Sequence, residues 1–246
     1  MLWNPWHGCR KCSPGCINCY VYFLDGLRGK NAAEIAKNKT SFDLPIKRDR
    51  QGNYKIPSGT ELGTCFTSDF FIEDADEWRG DVWKMIKQRD DVSFLIPTKR
   101  IHRFSECIPG DWGEGYPNVT IAVSCENQAK ADERLPLLLD IKSARKIVFV
   151  APILEYVDLS RYLASGGIDA VSVGGESYAN SRECDFDWVK RIFSDCQRFN
   201  VGFDFHQTGS NFLKDGIRYR IKHRDEFSQA KKGEIYLRAG LSENNS

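Results

Sequence analysis

The feature that most constrains the fold of this chain is a series of short apolar runs separated by longer stretches with helical spacing. Near-continuous apolar strands alternate with helices where a parallel sheet is covered on both faces, so the pattern predicts an α/β fold. About six or seven such units predict a full or partial (β/α) barrel, with a doubly wound open sheet as the alternative. The apolar runs cover 62–71, 92–99, 119–126, 146–153, 169–176 and 201–209, and the helical stretches cover 76–90, 127–139, 157–165 and 185–199.

The composition of the 246-residue chain is ordinary for a globular protein, and its length allows one large domain or two small ones. We expect one domain spanning 1–246, with a polar tail from about residue 240. A formal net charge of +1 argues against a strongly basic nucleic-acid binder, so we expect no duplex nucleic acid as partner. No apolar run approaches the roughly 20 residues of a membrane-spanning helix, so we expect no membrane partner. The start MLWNPWHGC does not have the pattern of a secretory signal. We therefore expect a cytoplasmic protein.

Polar groups follow five of the predicted strands. Active sites of parallel α/β folds lie at the carboxyl ends of their strands, so these groups predict a site at that edge. The alternative is that strand ends are polar because they reach water, with Lys99 and Arg100 as helix-start charges on a solvated face. The groups are Ser68 and Asp69; Thr98, Lys99 and Arg100; Ser124, Glu126 and Asn127; Gly174, Gly175 and Glu176; and His206 and Gln207.

The loop GCRKCSPGCINCY, residues 8–20, contains four of the nine cysteines. Cys12, Cys16 and Cys19 have the spacing C-x3-C-x2-C, which suits three thiolates around one [4Fe–4S] cluster. Three ligands leave one iron open to a substrate or cofactor, whereas clusters that only carry electrons usually take four cysteines. Cys9 is a possible alternative first ligand. The spacing therefore favours an iron–sulfur cluster-binding loop.

Zinc is the main alternative metal for this loop, because all four cysteines could form a tetrahedral thiolate site, or His7 could join them. The three residues between Cys12 and Cys16 are too few for the usual pair of separate knuckles. An odd number of cysteines in a reducing compartment argues against a disulfide framework. The other five cysteines are expected to be small buried apolar residues. They are Cys65 and Cys125 in strands, and Cys107, Cys184 and Cys196 elsewhere.

The chain carries, in order, the motifs WNPWHGC…SPGCINCY, TSDFFIEDADEW (67–78), TKR (98–100), VSCENQAKADERLPLLL (123–139), VGGES (173–177) and FHQTG (205–209). These motifs resemble, in the same order, those of a radical SAM-like family first catalogued as phage proteins of unknown function. The similarity covers about residues 3–210 and implies a radical SAM (β/α) barrel that uses S-adenosylmethionine (SAM) and a [4Fe–4S] cluster.

The resemblance implies Cys9, Cys16 and Cys19 as cluster ligands, because the family pattern is G-C-x-K-x-S-x-G-C-x-x-C-Y. This conflicts with the general radical SAM spacing, which selects Cys12 in place of Cys9. Cys16 and Cys19 are common to both interpretations.

The resemblance also implies that the first strand ends bind SAM. We expect Ser68 and Asp69 to hold its ammonium group and Lys99 to pair with its carboxylate. The ribose hydroxyls are then expected to contact Ser124, Glu126 and Asn127. Many radical SAM enzymes hold the SAM ammonium group with a G-G-E stretch. The GGE of this chain, at 174–176, comes several strands too late to be that stretch.

The tryptophan-bearing start, CYVY at 19–22 and the stretch 41–60 are similar to the queuine lyase subgroup. That similarity implies a radical SAM lyase that cleaves the base queuine to preQ1 in queuosine salvage, with an electron donor such as flavodoxin or ferredoxin. The alternatives are radical SAM chemistry on another nucleobase or nucleoside, and a non-catalytic zinc-knuckle binding protein.

The far strand ends would then bind the base. A deazaguanine presents N1–H and an exocyclic amine side by side, a donor pair that one carboxylate matches. Glu176 is the first candidate for that carboxylate and Asp204 the second. We expect His206 and Gln207 to orient the substrate, and His206 to move a proton during catalysis.

Overall fold

The computed structural model describes residues 1–237, so the predicted polar tail from about residue 240 lies outside the described part. Contacts within the chain divide it into two compact units. The prediction of one domain over 1–246 stays a prediction. The first unit comprises Met1–Ser13, Cys19–Val123 and Asp140–Arg145, and the second comprises Pro14–Asn18, Ser124–Leu139 and the described residues from Lys146 onward.

The first unit contains four parallel strands in the order β1-β4-β5-β6 and a separate antiparallel ribbon of β2 and β3. Its strands are β1 (Leu2–Trp3), β2 (Trp6–His7), β3 (Ala36–Lys37), β4 (Glu61–Thr64), β5 (Ser93–Thr98) and β6 (Val119–Ser124), the last residue of which is grouped with the second unit. Its helices are α1 (Tyr20–Leu27), α2 (Asp76–Gln88) and α3 (Phe104–Cys107).

The second unit has a sheet in the order β7-β8-β10-β13, in which only β13 is antiparallel to its neighbour. A small sheet with the order β12-β11-β9 accompanies it. The strands are β7 (Arg145–Val150), β8 (Ala170–Gly174), β9 (Cys184–Asp185), β10 (Gly202–Gln207), β11 (Asn211–Lys214), β12 (Ile217–Arg220) and β13 (Tyr236–Leu237). The helices are α4 (Gln128–Asp140), α5 (Ser160–Leu163), α6 (Phe186–Arg198) and α7 (Glu226–Lys231).

These elements confirm the predicted α/β class with mostly parallel strands. A strand overlaps each apolar run, and consecutive strands of the main sheets lie side by side, so neither order reverses as a doubly wound sheet requires. In the part of the chain that the structure describes, no pairing closes the sheet of either unit into a barrel. The radical SAM type of barrel therefore stays a prediction.

Two predicted elements are shorter than expected. The strand in 62–71 ends at Thr64, because Cys65 adopts a left-handed backbone with φ of 61°. Cys65, predicted to lie in a strand, follows it, and Cys125 directly follows β6. The helical stretch 157–165 forms only the single turn of α5. The carboxylate of Asp158 accepts from the Ser160 amide at its start.

Helix α6 forms as its spacing predicts. The Asp185 side chain accepts from the Asp187 amide at 2.8 Å and caps the helix start. Val189, Ile192 and Cys196 are buried at intervals of three and four. Among residues 1–237, no helix is both long and apolar enough to cross a membrane.

Aromatic residues of the recognised motifs form the core of the first unit. Trp6 packs on Phe70 with ring centroids 5.6 Å apart, and Phe70 packs on Trp83 at 4.9 Å. The Trp6 indole also donates to the carbonyl of Asp69 at 3.2 Å. These aromatic positions of the motif therefore serve to pack the loop after β4, and the chemistry has to come from their polar neighbours.

Candidate functional site

The Gly8–Cys9 turn, in the first unit, has a backbone that only glycine fits. Gly8 has φ of +92°, in the left-handed region that glycine tolerates. A Cβ there would lie closer than 3.0 Å to the carbonyl oxygen of Glu34. The Cys9 amide donates to the carbonyl of Ala32 at 2.8 Å, and the Ser68 hydroxyl donates to the carbonyl of Gly8. These contacts fix the backbone that carries the first predicted cluster ligand.

Arg100 is a buried cation beside Cys9. Its Nη1 lies 3.9 Å from Cys9 Sγ and 3.3 Å from Asp69 Oδ2, and its Nη2 donates to the carbonyl of Arg10 at 2.8 Å. Burial by itself would lower the pKa of Arg100. Electrostatic attraction, largest from Asp69 and smaller from the Cys12 and Cys9 side chains, outweighs burial and raises that pKa above its usual value. The alternative interpretation of Arg100 as a solvated helix-start charge is therefore wrong.

Asp69 is engaged by donors of its own chain. Its carboxylate accepts from the Thr98 hydroxyl at 2.8 Å, from the Lys99 amide at 2.8 Å and from the Phe71 amide at 3.0 Å. With Arg100 as well, Asp69 joins the loop after β4 to the end of β5. A SAM ammonium group would have to share this carboxylate, so the predicted SAM contacts of Ser68, Asp69 and Lys99 stay predictions.

Glu126, in the second unit, fixes the middle of the cysteine loop. It is fully buried, and its Oε1 accepts from the Gly15 amide at 3.0 Å. Its Oε2 accepts from Arg134 Nη1 at 3.0 Å, and the same nitrogen donates to the carbonyl of Ser124 at 2.7 Å. These contacts make Glu126 a positioning group for the loop, and a ribose hydroxyl would have to share its oxygens with the Gly15 amide and Arg134.

Asn127 also has a role within the fold. Its Oδ1 accepts from the Lys130 amide at 3.0 Å, the pattern of a residue that caps the start of a helix, here α4. The predicted ribose contacts of Ser124, Glu126 and Asn127 stay predictions. The side-chain oxygens of Glu126 and Asn127 already have partners in the fold that a ligand would have to share or displace.

Glu176, the first candidate for reading the substrate, contacts the cysteine loop, and its substrate contact stays a prediction. Its Oε2 accepts from Asn18 Nδ2 at 2.9 Å and from the Arg182 amide at 2.8 Å, and its Oε1 accepts from Arg182 Nη2. Arg182 Nη2 also donates to the carbonyl of Pro14 at 3.0 Å. Burial raises the pKa of Glu176, but the hydrogen bonds from Arg182 and Asn18 outweigh it and hold the pKa below its usual value.

Asp204 and His206, on one face of β10, are the predicted substrate residues that stay accessible. Their side chains are 46% and 59% exposed, and Asp204 Oδ2 lies 4.0 Å from His206 Nδ1. Asp204 pairs in register with Ser172, and Ser172 with Phe149 on the next strand, so the three share one cross-strand row. All three are half-buried. The row combines an acceptor, a hydroxyl and an aromatic ring.

Gln207 differs from these two residues because its amide is used within the fold. Its Nε2 donates to the carbonyl of Gly175 at 2.8 Å and to Ser177 Oγ at 3.0 Å. A Cβ on Gly175 would lie closer than 3.0 Å to the carbonyl oxygen of Thr208, so the segments after β8 and β10 meet backbone to backbone. The motifs VGGES and FHQTG thus build one packed turn, and substrate contact by Gln207 stays a prediction.

The donors for a metal are the four cysteines of the loop. Cys9 and Cys19 are half-buried, Cys12 is exposed and Cys16 is buried. Within residues 1–237, no three or more His, Cys, Asp or Glu side chains are arranged to hold a metal ion. The donor set nevertheless fits an iron–sulfur cluster, because thiolates are its usual ligands and the Arg100 cation lies beside Cys9. Thiolates fit zinc as well.

Comparison with known proteins gives a family for this chain. Residues 1–236 match the model of a family described as a protein of unknown function (DUF5131). The chain belongs to this family. No curated protein and no solved structure matches this DUF5131 protein. The family description names no activity, so a proposal about function has to be argued from the site residues.

Sequence reasoning missed Arg182 and Asn18 and gave Arg100 too little weight. The signal for Arg100 was its place in TKR, directly after a strand that ends beside Asp69. The signal for Asn18 was its place between two loop cysteines, Cys16 and Cys19. Arg182 gave no signal in the sequence, because only the turn after β8 brings it back onto Glu176.

Proposed function

We propose that this DUF5131 protein is a radical SAM enzyme whose cluster is bound by Cys9, Cys16 and Cys19, and that it cleaves queuine to preQ1. The observation that carries the proposal is the buried guanidinium of Arg100 beside Cys9, in a loop with four thiols. Arg100 is also paired with Asp69 at 3.3 Å, which fixes the cation beside the thiol. Next to a cluster with net negative charge it lowers the electrostatic energy of the bound form.

When bound, a [4Fe–4S] cluster with three protein ligands supplies an open iron for SAM and the one-electron chemistry that cleaves SAM for hydrogen abstraction. The residues of the chain would hold the cysteines in place. In the first unit, Tyr22 donates its hydroxyl to the Cys9 carbonyl at 2.6 Å, and Ser68 binds Gly8. Cys12 is the alternative to Cys9 as the first ligand.

In the second unit, two buried carboxylates hold the loop segment 14–18 that carries Cys16. Glu126 binds the Gly15 amide, and Glu176 binds the Asn18 side chain. Both carboxylates are also paired with an arginine, Glu126 with Arg134 and Glu176 with Arg182. The loop is thus positioned by charge-assisted hydrogen bonds, which supports a role for Cys16 that depends on its exact placement.

Of the four predicted substrate residues, Asp204 and His206 are best placed to contact a substrate. The polar atoms of Glu176 and Gln207 form hydrogen bonds within the fold. Asp204 is half-buried, and its carboxylate can accept hydrogen bonds from a pair of N–H donors. Phe149, in the same cross-strand row, supplies an aromatic ring on which a planar base can stack. Asp204 therefore replaces Glu176 as the first candidate for reading the base.

The proposal is tested by incubating the reconstituted protein with SAM, a reductant and queuine, and measuring 5′-deoxyadenosine and preQ1. Formation of both products supports it, with an electron donor such as flavodoxin or ferredoxin expected to replace the chemical reductant. SAM cleavage with another nucleobase but not with queuine would show that the substrate is a different base and would favour the alternative of radical SAM chemistry on another nucleobase. No SAM cleavage, with zinc bound, would favour the non-catalytic zinc-binding alternative.

A further inference from the structure

A hydrogen-bonded chain of three titratable side chains lies in the second unit, outside the residues considered so far. The Tyr178 hydroxyl lies 3.0 Å from His223 Nε2, and His223 Nδ1 lies 3.1 Å from Glu226 Oε2. The Tyr178 and His223 rings are in contact, with centroids 4.4 Å apart. A hydroxyl, an imidazole and a carboxylate in this order form the arrangement by which enzymes activate a hydroxyl group.

The carboxylate end of this chain is fixed. Glu226 is 1% exposed, and its two oxygens accept from the hydroxyls of Ser177 and Ser210. Because both Glu226 oxygens already accept hydrogen bonds, the contact assigns His223 Nδ1 as the donor to Glu226. That tautomer leaves Nε2 as an acceptor, and the Tyr178 hydroxyl donates to it.

The hydroxyl end is held in a strained backbone. Tyr178 has φ of +74°, which is unusual for a residue with a bulky side chain. Its amide donates to Ser210 Oγ at 2.9 Å, and Ser210 in turn binds Glu226. Strain of this kind persists where the surroundings over-determine it, and it gathers at functional sites. The Tyr178 ring therefore projects from a position that the same carboxylate network fixes.

The Tyr178 and His223 side chains, at the end of the hydrogen-bonded series away from Glu226, are partly exposed. The His223 side chain is 53% exposed and Tyr178 is half-buried, four residues beyond the end of β8. Gln207, at the end of β10, reaches the same network because it donates to Ser177. A ligand at the carboxyl ends of β8 and β10 can thus contact the Tyr178 hydroxyl while the imidazole behind it stays oriented.

We infer that Tyr178, His223 and Glu226 form a proton-accepting relay for a substrate ammonium or hydroxyl group. A substrate N–H or O–H proton passes to Tyr178 Oη as the proton of Tyr178 passes to His223 Nε2. One proton is taken from the substrate and one is held on the imidazole, and no electron changes hands. The imidazolium that forms lies against Glu226, which acts as its positioning residue.

The protonation of Tyr178 at rest agrees with a relay. Burial and the charge of Glu226 raise the pKa of Tyr178. The phenol therefore keeps its proton until a substrate proton is transferred to its oxygen. The substrate class, but not the relay itself, rests on the proposed function. Queuine carries a secondary amine and a diol, and the amine is protonated at neutral pH. The relay would take over the proton transfer that the sequence suggested for His206.

The first test is NMR of the full chain labelled with nitrogen-15 in histidine, without cofactor. The chain has four histidines, and His223→Gln identifies the His223 signals by their loss. We expect His223 in a single tautomer with the proton on Nδ1, and a change of its Nε2 shift in Tyr178→Phe but not in Tyr219→Phe, an exposed control. A mixture of tautomers, unaffected by Tyr178→Phe, would overturn the relay.

The second test measures preQ1 and 5′-deoxyadenosine in the reconstituted protein. We expect Tyr178→Phe and His223→Gln to lower preQ1 formation about 100-fold, the usual size of an acid–base contribution, with iron content unchanged. His206→Gln should then have a smaller effect. Unchanged preQ1 formation in both variants would overturn the catalytic role. If the wild-type protein cleaves no SAM, the proposed function fails, and the NMR result alone decides the relay.

Discussion

The guanidinium of Arg100 lies 3.9 Å from the thiol of Cys9, a residue 91 positions earlier in the sequence. The contact joins two separate motifs of the chain, the cysteine loop and the TKR strand end. Because Arg100 is buried and also paired with Asp69, the cation is fixed relative to the thiol and cannot turn to solvent. The first unit therefore presents a cysteine next to a permanent positive charge.

Replacing Arg100 by Gln is expected to lower both stability and iron content. The change leaves buried Asp69 without its cation, and breaking a buried ion pair costs about 3 kcal/mol. Loss of the charge beside Cys9 also weakens binding of an anionic cluster. Urea unfolding and iron analysis after anaerobic reconstitution measure the two effects. Arg10→Gln, which removes an exposed ion pair to Asp74, is the control and should leave both unchanged. Equal results for the two variants would contradict this account.

Glu176→Gln is expected to destabilise the protein by an amount that depends on pH. The pKa of Glu176 is held below its usual value of 4.5, mainly by hydrogen bonds from Arg182 that outweigh burial. A carboxyl with a lowered folded-state pKa contributes stability above its unfolded-state pKa, and this is lost as pH falls through the folded-state value. The difference in unfolding free energy between wild type and variant should therefore be constant near neutral pH and shrink in acid. Glu77→Gln, at an exposed position, is the control. A difference that grows in acid would contradict the pairing.

Gly8→Ala is expected to destabilise the protein more than Gly59→Ala. Both glycines have positive φ, but only Gly8 has a backbone oxygen closer than 3.0 Å to the position of an added Cβ. Gly59→Ala should lower the free energy of unfolding by about 1 kcal/mol, because alanine is strained in the left-handed backbone. Gly8→Ala should lower the free energy of unfolding by about 3 kcal/mol or more, because the turn must also shift to make room for the Cβ. Thermal unfolding of the two variants measures the difference. Equal losses would show that the turn at Cys9 is not closely packed.

Asp204→Asn is expected to reduce queuine turnover without affecting iron content. The amide replaces one acceptor oxygen by a donor, so a pair of substrate N–H groups loses a charged hydrogen bond, which lowers kcat/KM roughly 10- to 100-fold. Steady-state kinetics with queuine measures this effect. Glu176→Gln serves as the comparison, because it should lower iron content first. If Glu176→Gln alone impaired turnover at full iron content, the original assignment of base reading to Glu176 would be restored.

The fold class could be predicted from periodicity because the buried strands are near-continuous apolar runs. A strand overlaps each of the six runs, and α6 forms within the predicted stretch 185–199. The run 62–71 was harder, because its aromatic residues are as apolar as a strand but pack in a turn after Cys65. Apolar character predicts burial, and it does not distinguish a buried strand from a buried turn.

The residue types of the candidate site could be predicted, but their partners could not. Ser68, Asp69, Glu126 and Glu176 lie near strand ends as expected. The Ser68 hydroxyl donates to the Gly8 carbonyl, and the three carboxylates accept from donors of the chain itself. Some of these donors come from distant positions, such as Gly15 for Glu126 and Asn18 for Glu176. A carboxylate at a strand end has the same sequence pattern whether it binds a ligand or holds a loop, and only the three-dimensional partners distinguish the two.

The central claim is that the cysteine loop holds an iron–sulfur cluster through Cys9, Cys16 and Cys19. The most direct test is anaerobic purification and reconstitution of wild type, Cys9→Ser and Cys12→Ser, followed by iron, sulfide and zinc analysis with a visible spectrum. We predict about four irons per chain in wild type and in Cys12→Ser, with a broad absorbance that dithionite bleaches, and loss of both in Cys9→Ser. Stoichiometric zinc with no iron in the wild-type protein would contradict the account.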